Sequence, residues 1–221
     1  MEWKTIPWAA RTQDRTIGDF LRDTFCDLPG LLEKAEQGFA DEALQQEISA
    51  TIQKLEQLRW RWGMVYSKAC WERPLDPHTS LSLDAMGQPL FNTVLDFEEA
   101  ERAVEILYFN ATRLILYTIS DQVGLHGPLP TDQNTLRFHS PRLNADILPG
   151  QGSRMTHVQE ICRIVDYFME ARRAGRGAMI LFFPLSVART HLAHDPRMSA
   201  WVPRILGEAA SSKGWSFGET D

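Results

Sequence analysis

The amino-acid sequence predicts an all-α protein, an irregular bundle of about seven to nine helices around a buried central helix. Apolar residues recur every three or four positions over long stretches, which is typical of amphipathic helices. The segment ILYFNATRLILY (106–117) is apolar on nearly every side, as expected of a central helix. The apolar run AMILFF (178–183) has no partner strand in the sequence, and an isolated strand would leave its backbone groups unpaired. With 43% hydrophobic residues, the chain is expected to form a single helical domain over residues 1–221.

Two short helices are predicted near the N-terminus. Thr16 is suited to cap the segment IGDFLRDTF (17–25), and Asp19 at the third helical position favours the N-terminal helix dipole. Pro29 is suited to open a second helix at GLLEKAEQGF (30–39), because a proline fits the first turn of a helix.

A long amphipathic helix is predicted from Asp41 to a point before Pro74. Its apolar stripe steps by three or four residues and consists of Leu44, Ile48, Ile52, Leu55, Leu58, Trp62, Val65 and Ala69. A loop with three prolines, RPLDPHTSLSLDAMGQPLFN (73–92), follows. The D-x-x-E pattern at Asp96 and Glu99 then predicts a capped start for the central helix.

The C-terminal half begins with a long variable loop at 124–153, predicted from four prolines, four glycines and no sustained period. Loops of this length inside a domain are usually lids, binding loops or disordered segments. A helix is predicted over about 154–174, with a buried helix after it that is broken or kinked at Pro184.

The last helix is predicted at about 199–213, with Pro203 in its first turn, where the missing N–H costs little, and with Gly214 closing it. The dipeptide Asp195-Pro196 before it is interpreted as a turn or a helix start.

Charge and composition exclude several classes of protein. A formal charge of −6 speaks against nucleic-acid binding, because neutralising phosphates needs a surplus of lysine and arginine. The basic segment ARRAGR (171–176) is interpreted as a solvated helix end. No apolar run is long enough for a membrane helix and the first residues lack a signal region, so the chain is expected to be intracellular. The three cysteines form no C-x-x-C pair, so reduced thiols are expected instead of a zinc site or a disulfide framework.

Two polar residues, Asn110 and Arg113, interrupt the predicted central helix. A buried charge without a partner costs several kcal/mol, so the fold must supply a carboxylate or hydrogen bonds. Asp166 is the expected partner of Arg113, because it lies near the centre of another apolar segment, and Arg163 is placed to share the pair. Two interpretations are open: a buried ion pair that fixes helix register, or a pocket in which Asn110, Arg113 and Asp166 bind an anionic or phenolic ligand.

Aromatic side chains are the second group of candidates. An apolar cavity would be lined by Trp62, Tyr66, Tyr108, Tyr117 and Tyr167, although aromatic residues at helical spacing also build plain core.

Metal and cofactor sites are not predicted. The pairs His191/His194 and His157/Glu160 each supply only two ligands, and no third ligand is indicated. The segments GQGSRM and GRGAMI lack the third glycine and the preceding strand of a dinucleotide site.

Four motifs, in order, carry a resemblance to a known family: ILYFNATRLILY (106–117), EICRIVDYFM (160–169), LFFPLSVAR (181–189) and WVPRILGEAASSKG (201–214). Together with WKTIPW and DLPGLLEKA upstream, they resemble the C-terminal half of the fungal-specific transcription-factor domain, the regulatory region of fungal binuclear zinc-cluster regulators. That family's DNA-binding head needs six closely spaced cysteines, which this sequence lacks. The chain is therefore expected to be either part of a longer regulator or a free-standing relative, with no direct nucleic-acid contact of its own.

Three functional hypotheses follow. The resemblance implies a regulatory, effector-binding module that binds a small apolar metabolite or a protein partner, in the nucleus if it belongs to a regulator and otherwise in the cytoplasm. The alternative is a cofactor-independent enzyme of fungal secondary metabolism, a cyclase or pericyclase, in which Asn110, Arg113 and the tyrosines donate hydrogen bonds and the loop 124–153 is a lid. The third is an interaction module that forms a homodimer and uses no pocket. No membrane partner is expected.

Overall fold

The structure, a computed structural model, describes residues 15–38, 42–125, 153–170 and 174–211. These residues are mostly helical and include one two-stranded sheet. In chain order the elements are α1 (Ile17–Glu36), α2 (Glu42–Val65), β1 (Cys70–Pro74), β2 (Thr93–Phe97), α3 (Ala100–Gln122), α4 (Arg154–Arg163), α5 (Val165–Met169), α6 (Ala174–Arg189) and α7 (Pro196–Ser211).

The described residues fall into two compact units. The first unit consists of described residues up to Ser67 together with 115–125, and the second consists of 68–114 and described residues from Ser153 onwards. Helix α3 contributes residues to both.

In the first unit, α1 begins where the sequence predicts. The Thr16 hydroxyl accepts the Asp19 backbone N–H at 3.2 Å, and the Asp19 carboxylate accepts the Thr16 backbone N–H at 2.9 Å, which completes a capping box. The prediction of two short helices is wrong, because α1 continues through Pro29 to Glu36. The buried Leu28 and Leu31 lie on either side of the proline, so burial of this face offsets the lost backbone hydrogen bond.

Helix α2 packs against α1 and confirms most of the predicted stripe. Its inward residues from Leu44 to Trp62 are buried. The helix ends at Val65, which is 57% exposed, so the predicted extension towards Pro74 is wrong. The last stripe residue, Ala69, lies beyond the helix and just before β1.

In the second unit, β1 and β2 pair antiparallel, with Cys70 opposite Phe97 and Pro74 opposite Thr93. The predicted helix start at Asp96 is wrong, because Asp96 lies in β2 and α3 begins at Ala100.

A diagonal cross-strand pair explains why Asp96 does not cap a helix. The Asp96 carboxylate accepts the Arg73 Nε–H at 2.8 Å from the neighbouring strand. A carboxylate with a guanidinium partner is held in the sheet, so the cap-like sequence pattern does not take effect.

The C-terminal helices differ from the prediction at their ends. The helix predicted over 154–174 breaks at Ile164 into α4 and α5, and α5 ends at Met169. The AMILFF run is helical within α6, as predicted, but a break at Pro184 is wrong, because α6 continues through the proline to Arg189. Helix α7 starts at Pro196 rather than at 199, because the Asp195 carboxylate caps it by accepting the Met198 N–H at 3.0 Å.

Helix α3 buries both apolar and polar side chains. Its buried apolar residues include Ala103, Ile106, Leu107, Phe109, Ala111, Leu114, Leu116 and Ile119, and its buried polar residues are Arg102, Glu105, Asn110, Thr112, Arg113 and Ser120. Two of the buried charges form an ion pair within α3, because Arg102 Nη1 donates to both carboxylate oxygens of Glu105, each at 2.6 Å.

Some predicted features lie outside the described residues. They are nearly all of the loop 124–153, WKTIPW at 3–8, Gly214 and the first half of ARRAGR. Among the helices that are described, none is both long enough and apolar enough to cross a membrane.

Thr16→Ala is expected to lower the free energy of unfolding by about 1 kcal/mol, because the first turn of α1 loses its capping acceptor. Urea denaturation followed by circular dichroism measures this change. The control is Thr51→Ala inside α2, whose hydroxyl bonds only to the Glu47 carbonyl of the preceding turn. Equal stability of the two variants would contradict the role of the cap.

Candidate functional site

A buried chain of hydrogen bonds joins α3 to α4 in the second unit. Asn110, which is 0% exposed, donates its amide Nδ2–H to the Glu160 carboxylate at 2.7 Å. Its amide oxygen lies 2.8 Å from Nδ1 of His157. Because the amide oxygen can only accept, Nδ1 of His157 carries the proton in this contact. One turn of α4 therefore holds the Asn110 amide from both ends.

These hydrogen bonds give the buried Asn110 of α3 its polar partners. Asn110 has two hydrogen-bonding partners on α4, and Arg113, one turn further along α3, is 4% exposed. The pair His157/Glu160, considered above as two metal ligands, is bonded to Asn110. Among the residues that the structure describes, no group of three or more metal-ligating side chains comes together.

The predicted pairing of Asp166 with Arg113 is wrong. Asp166 accepts hydrogen bonds from the Ser80 hydroxyl at 2.5 Å and from the Leu81 backbone N–H at 2.9 Å. The physical reason is the break at Ile164, after which α5 no longer continues the face of α4.

The predicted sharing of Asp166 by Arg163 is wrong as well. Arg163 donates to the Glu72 carboxylate at 2.6 Å and to the carbonyl and hydroxyl of Thr93 at 3.1 and 2.5 Å. It therefore ties α4 to both strands of the sheet.

The segment between the two strands, residues 75–92, is called the strand loop below. Three side chains of α7 hold it: Arg197 donates to the Asp84 carboxylate at 2.8 Å, Trp201 to the Leu81 carbonyl at 2.7 Å, and Arg204 to the Leu83 carbonyl at 2.6 Å. The strand loop has almost no regular structure of its own, but these bonds and those to Asp166 fix its path.

A cleft of about 400 Å³ opens beside Asp166, between the strand loop, β1 and the end of α5. We call it the loop cleft; its lining residues are Arg73, Thr79, Ser80, Leu81, Asp166, Met169 and Glu170. Ligand sites in proteins typically measure about 300–1,000 Å³, so the loop cleft has room for a small molecule.

Carboxylates dominate the electrostatics of the loop cleft. Arg73 donates through Nε to Asp96, and its Nη2 lies 3.7 Å from a carboxylate oxygen of Glu170. The hydrogen bond to Asp96, together with the charges of Asp96, Glu170 and Asp166, raises the pKa of Arg73 above its ordinary value, against the opposing effect of burial. The guanidinium thus stays charged and is already surrounded by negative groups.

The sequence-predicted candidates are distributed over different parts of the molecule. Asp166 lines the loop cleft, whereas Asn110, Arg113 and Arg163 are not among its lining residues. The sequence did not indicate the remaining polar residues of the cleft, and the contact of Arg73 with Asp96 is recognisable only once the strand pairing is known.

The aromatic candidates contact other rings. In the second unit, the Tyr108 ring stacks on Phe183 with centroids 6.4 Å apart, and the buried Tyr167 ring meets Phe97 at 5.4 Å. In the first unit, the rings of Trp62 and Tyr66 meet edge to face at 5.8 Å, and Tyr117 also belongs to this unit. Each of these ring pairs has the geometry of ordinary aromatic packing.

Cysteine chemistry does not supply a site. All three cysteines are free thiols, and burial raises the pKa of the Cys162 thiol, which keeps it protonated and unreactive.

Comparison of the chain with models of known protein families, with curated proteins and with solved structures gives no match.

Asn110→Ala is expected to lower the free energy of unfolding by about 3 kcal/mol, because the buried Glu160 carboxylate loses an amide donor and His157 loses its acceptor. Chemical denaturation measures the change. The exposed Asn92 is the matched control, and Asn92→Ala is expected to stay within about 0.5 kcal/mol of the unmodified chain. A loss of less than about 1 kcal/mol for Asn110→Ala would show that the hydrogen bonds of Asn110 with Glu160 and His157 contribute little to stability.

Proposed function

We propose that the chain is a regulatory, effector-binding helical module of the fungal transcription-factor type, and that its second unit binds a small molecule in the loop cleft. The observation that carries this proposal is the loop cleft itself, with a buried carboxylate on its floor. The resemblance in motif order, given above, supports the class of protein, and the cleft supports the binding of a small molecule.

The construction of the cleft supports a binding role. Asp166 on α5 accepts hydrogen bonds from Ser80 and Leu81 in the strand loop, and α7 donates to the carbonyls of Leu81 and Leu83 in the same loop. Polar groups that are fixed before a ligand arrives reduce the entropy lost on binding.

The finer features of the fold are part of the same proposal. We place α3 at the centre of the helical arrangement, and the support is the burial of most of its side chains, including Asn110 and Arg113. Residence in the nucleus as part of a regulator and a protein partner are what the resemblance implies, whereas a homodimer belongs to the separate hypothesis of an interaction module. DNA recognition would come from a separate zinc-cluster head.

The alternative, a cofactor-independent cyclase, receives less support from the geometry. In that hypothesis Asn110 and Arg113 donate hydrogen bonds to a substrate in an apolar cavity. Both side chains are at most 4% exposed, and Asn110 is occupied by His157 and Glu160. The polar lining of the loop cleft, with three charged residues, also differs from the apolar cavity that such a reaction needs.

Thr79→Trp tests ligand binding, because Thr79 is an exposed residue at the edge of the loop cleft and an indole there would occupy the space. A thermal-shift screen of fungal metabolites is expected to give compounds that stabilise the unmodified chain, by about 2.7 kcal/mol at a hundredfold excess over Kd, and that fail to stabilise Thr79→Trp. The matched control is His78→Trp, since His78 is the exposed neighbour and does not line the cleft. If no compound stabilises the chain, or if both tryptophan variants respond equally, binding in the loop cleft is refuted.

The regulatory role is tested by fusing the chain to an unrelated DNA-binding domain upstream of a reporter gene. A compound from the screen is expected to change reporter output severalfold, and Thr79→Trp is expected to abolish the response while His78→Trp retains it. If a compound that binds the chain does not change reporter output, the regulatory role is refuted and only ligand binding remains.

A further inference from the structure

The charge balance of the loop cleft indicates which ligands it accepts. The lining contains one guanidinium, Arg73, and two carboxylates, Asp166 and Glu170, so its formal charge is −1, and Arg73 is also bonded to a third carboxylate, Asp96, which is not a lining residue. Asp96 takes the Nε–H of Arg73 at 2.8 Å, and Glu170 lies 3.7 Å from Nη2. An anionic ligand would have to compete with these carboxylates for the guanidinium and would be repelled by those it did not displace.

The carboxylates on the cleft wall can accept further hydrogen bonds. Asp166 takes one bond on each oxygen, from Ser80 and from the Leu81 backbone, and an ionised carboxylate has about four acceptor positions. It is 7% exposed, so its charge is poorly screened by water. The Glu170 side chain is 33% exposed and stands at the mouth, where a ligand can reach it.

Apolar surface completes the lining. Leu81 from the strand loop and Met169 from the end of α5 line the same cleft as the two carboxylates. A ligand that matches this lining carries a positively charged N–H group at one end and a hydrocarbon body at the other.

We propose that the loop cleft binds a small organic cation, an alkyl- or arylamine, whose ammonium group donates to Asp166 and Glu170 and whose hydrocarbon part packs on Leu81 and Met169. This inference rests on the proposed function, because it names the chemical class of the ligand in that cleft. This ligand class differs from the anionic or phenolic ligand that one interpretation of the sequence placed at Asn110, Arg113 and Asp166.

Three probes of equal length separate charge from shape: hexylamine, 1-hexanol and hexanoate. Titration followed by calorimetry or by NMR shifts is expected to give saturable binding of hexylamine, which is protonated at pH 7, at least tenfold tighter than that of the alcohol and of the carboxylate. Raising the ionic strength is expected to weaken hexylamine alone. Thr79→Trp is expected to abolish the hexylamine signal, which locates it in the loop cleft.

Glu170→Gln is the decisive variant. It is expected to weaken hexylamine about tenfold and to leave 1-hexanol unchanged, since it removes a charge and keeps the shape. The matched control is Glu98→Gln, an exposed residue of the second unit outside the loop cleft, which is expected to leave both affinities unchanged. Circular dichroism and the melting temperature verify that both variants are folded.

The outcomes distinguish this inference from the proposed function. Three results would each overturn the cation inference. They are tighter binding of hexanoate or 1-hexanol than of hexylamine, equal hexylamine affinities of Glu170→Gln and Glu98→Gln, and no saturable binding of hexylamine. Small-molecule binding in the cleft still stands in those cases if a metabolite from the screen is lost in Thr79→Trp. If neither hexylamine nor any metabolite shows that loss, both proposals fail.

Discussion

The arrangement of the second unit depends on the hydrogen bonds that Asp166 accepts from the strand loop. A carboxylate that is 7% exposed has lost most of its contact with water, and hydrogen-bond donors must take the place of that water. Ser80 and Leu81 supply those donors, and in doing so they fix the segment that connects the two strands. These bonds place Ser80 and Leu81 beside Asp166 in the wall of the loop cleft, while backbone bonds within the strand loop, such as those from Asp84 to Gln88 and from Leu90 to Ser82, fix the rest of its path.

Local patterns in the sequence predicted where most of the helices occur, but they did not predict the strands or several of the helix ends. The stripe of α2 and the caps at Thr16 and Asp195 depend on residues three or four positions apart, so the sequence alone contains the information. Strands depend on a partner: β2 is a short apolar stretch, and its neighbour β1 is recognisable only once the pairing is known. The sequence pattern at Asp96 predicted a helix start for the same reason, since its actual partner, Arg73, is 23 residues away.

The candidate site shows the same limit more strongly. The sequence correctly marked Asn110 and Arg113 as buried polar residues, because the apolar residues around them leave a side chain on that helix little access to water. It could not identify their surroundings, since the break at Ile164 redirects Asp166 and has no glycine or proline to indicate it. The loop cleft draws its lining from β1, the strand loop and the region of α5, and no sequence pattern connects three such distant segments.

The contacts between α7 and the strand loop have a mechanical consequence. Arg197, Trp201 and Arg204 are spaced by four and three residues, so all three project from one side of a single rigid rod. A small rotation or slide of that rod displaces its three attachment points together, and the attached segment must follow as one body. Because Leu81 is bonded to Trp201 and also lines the loop cleft, a shift of α7 is expected to change the width of that cleft.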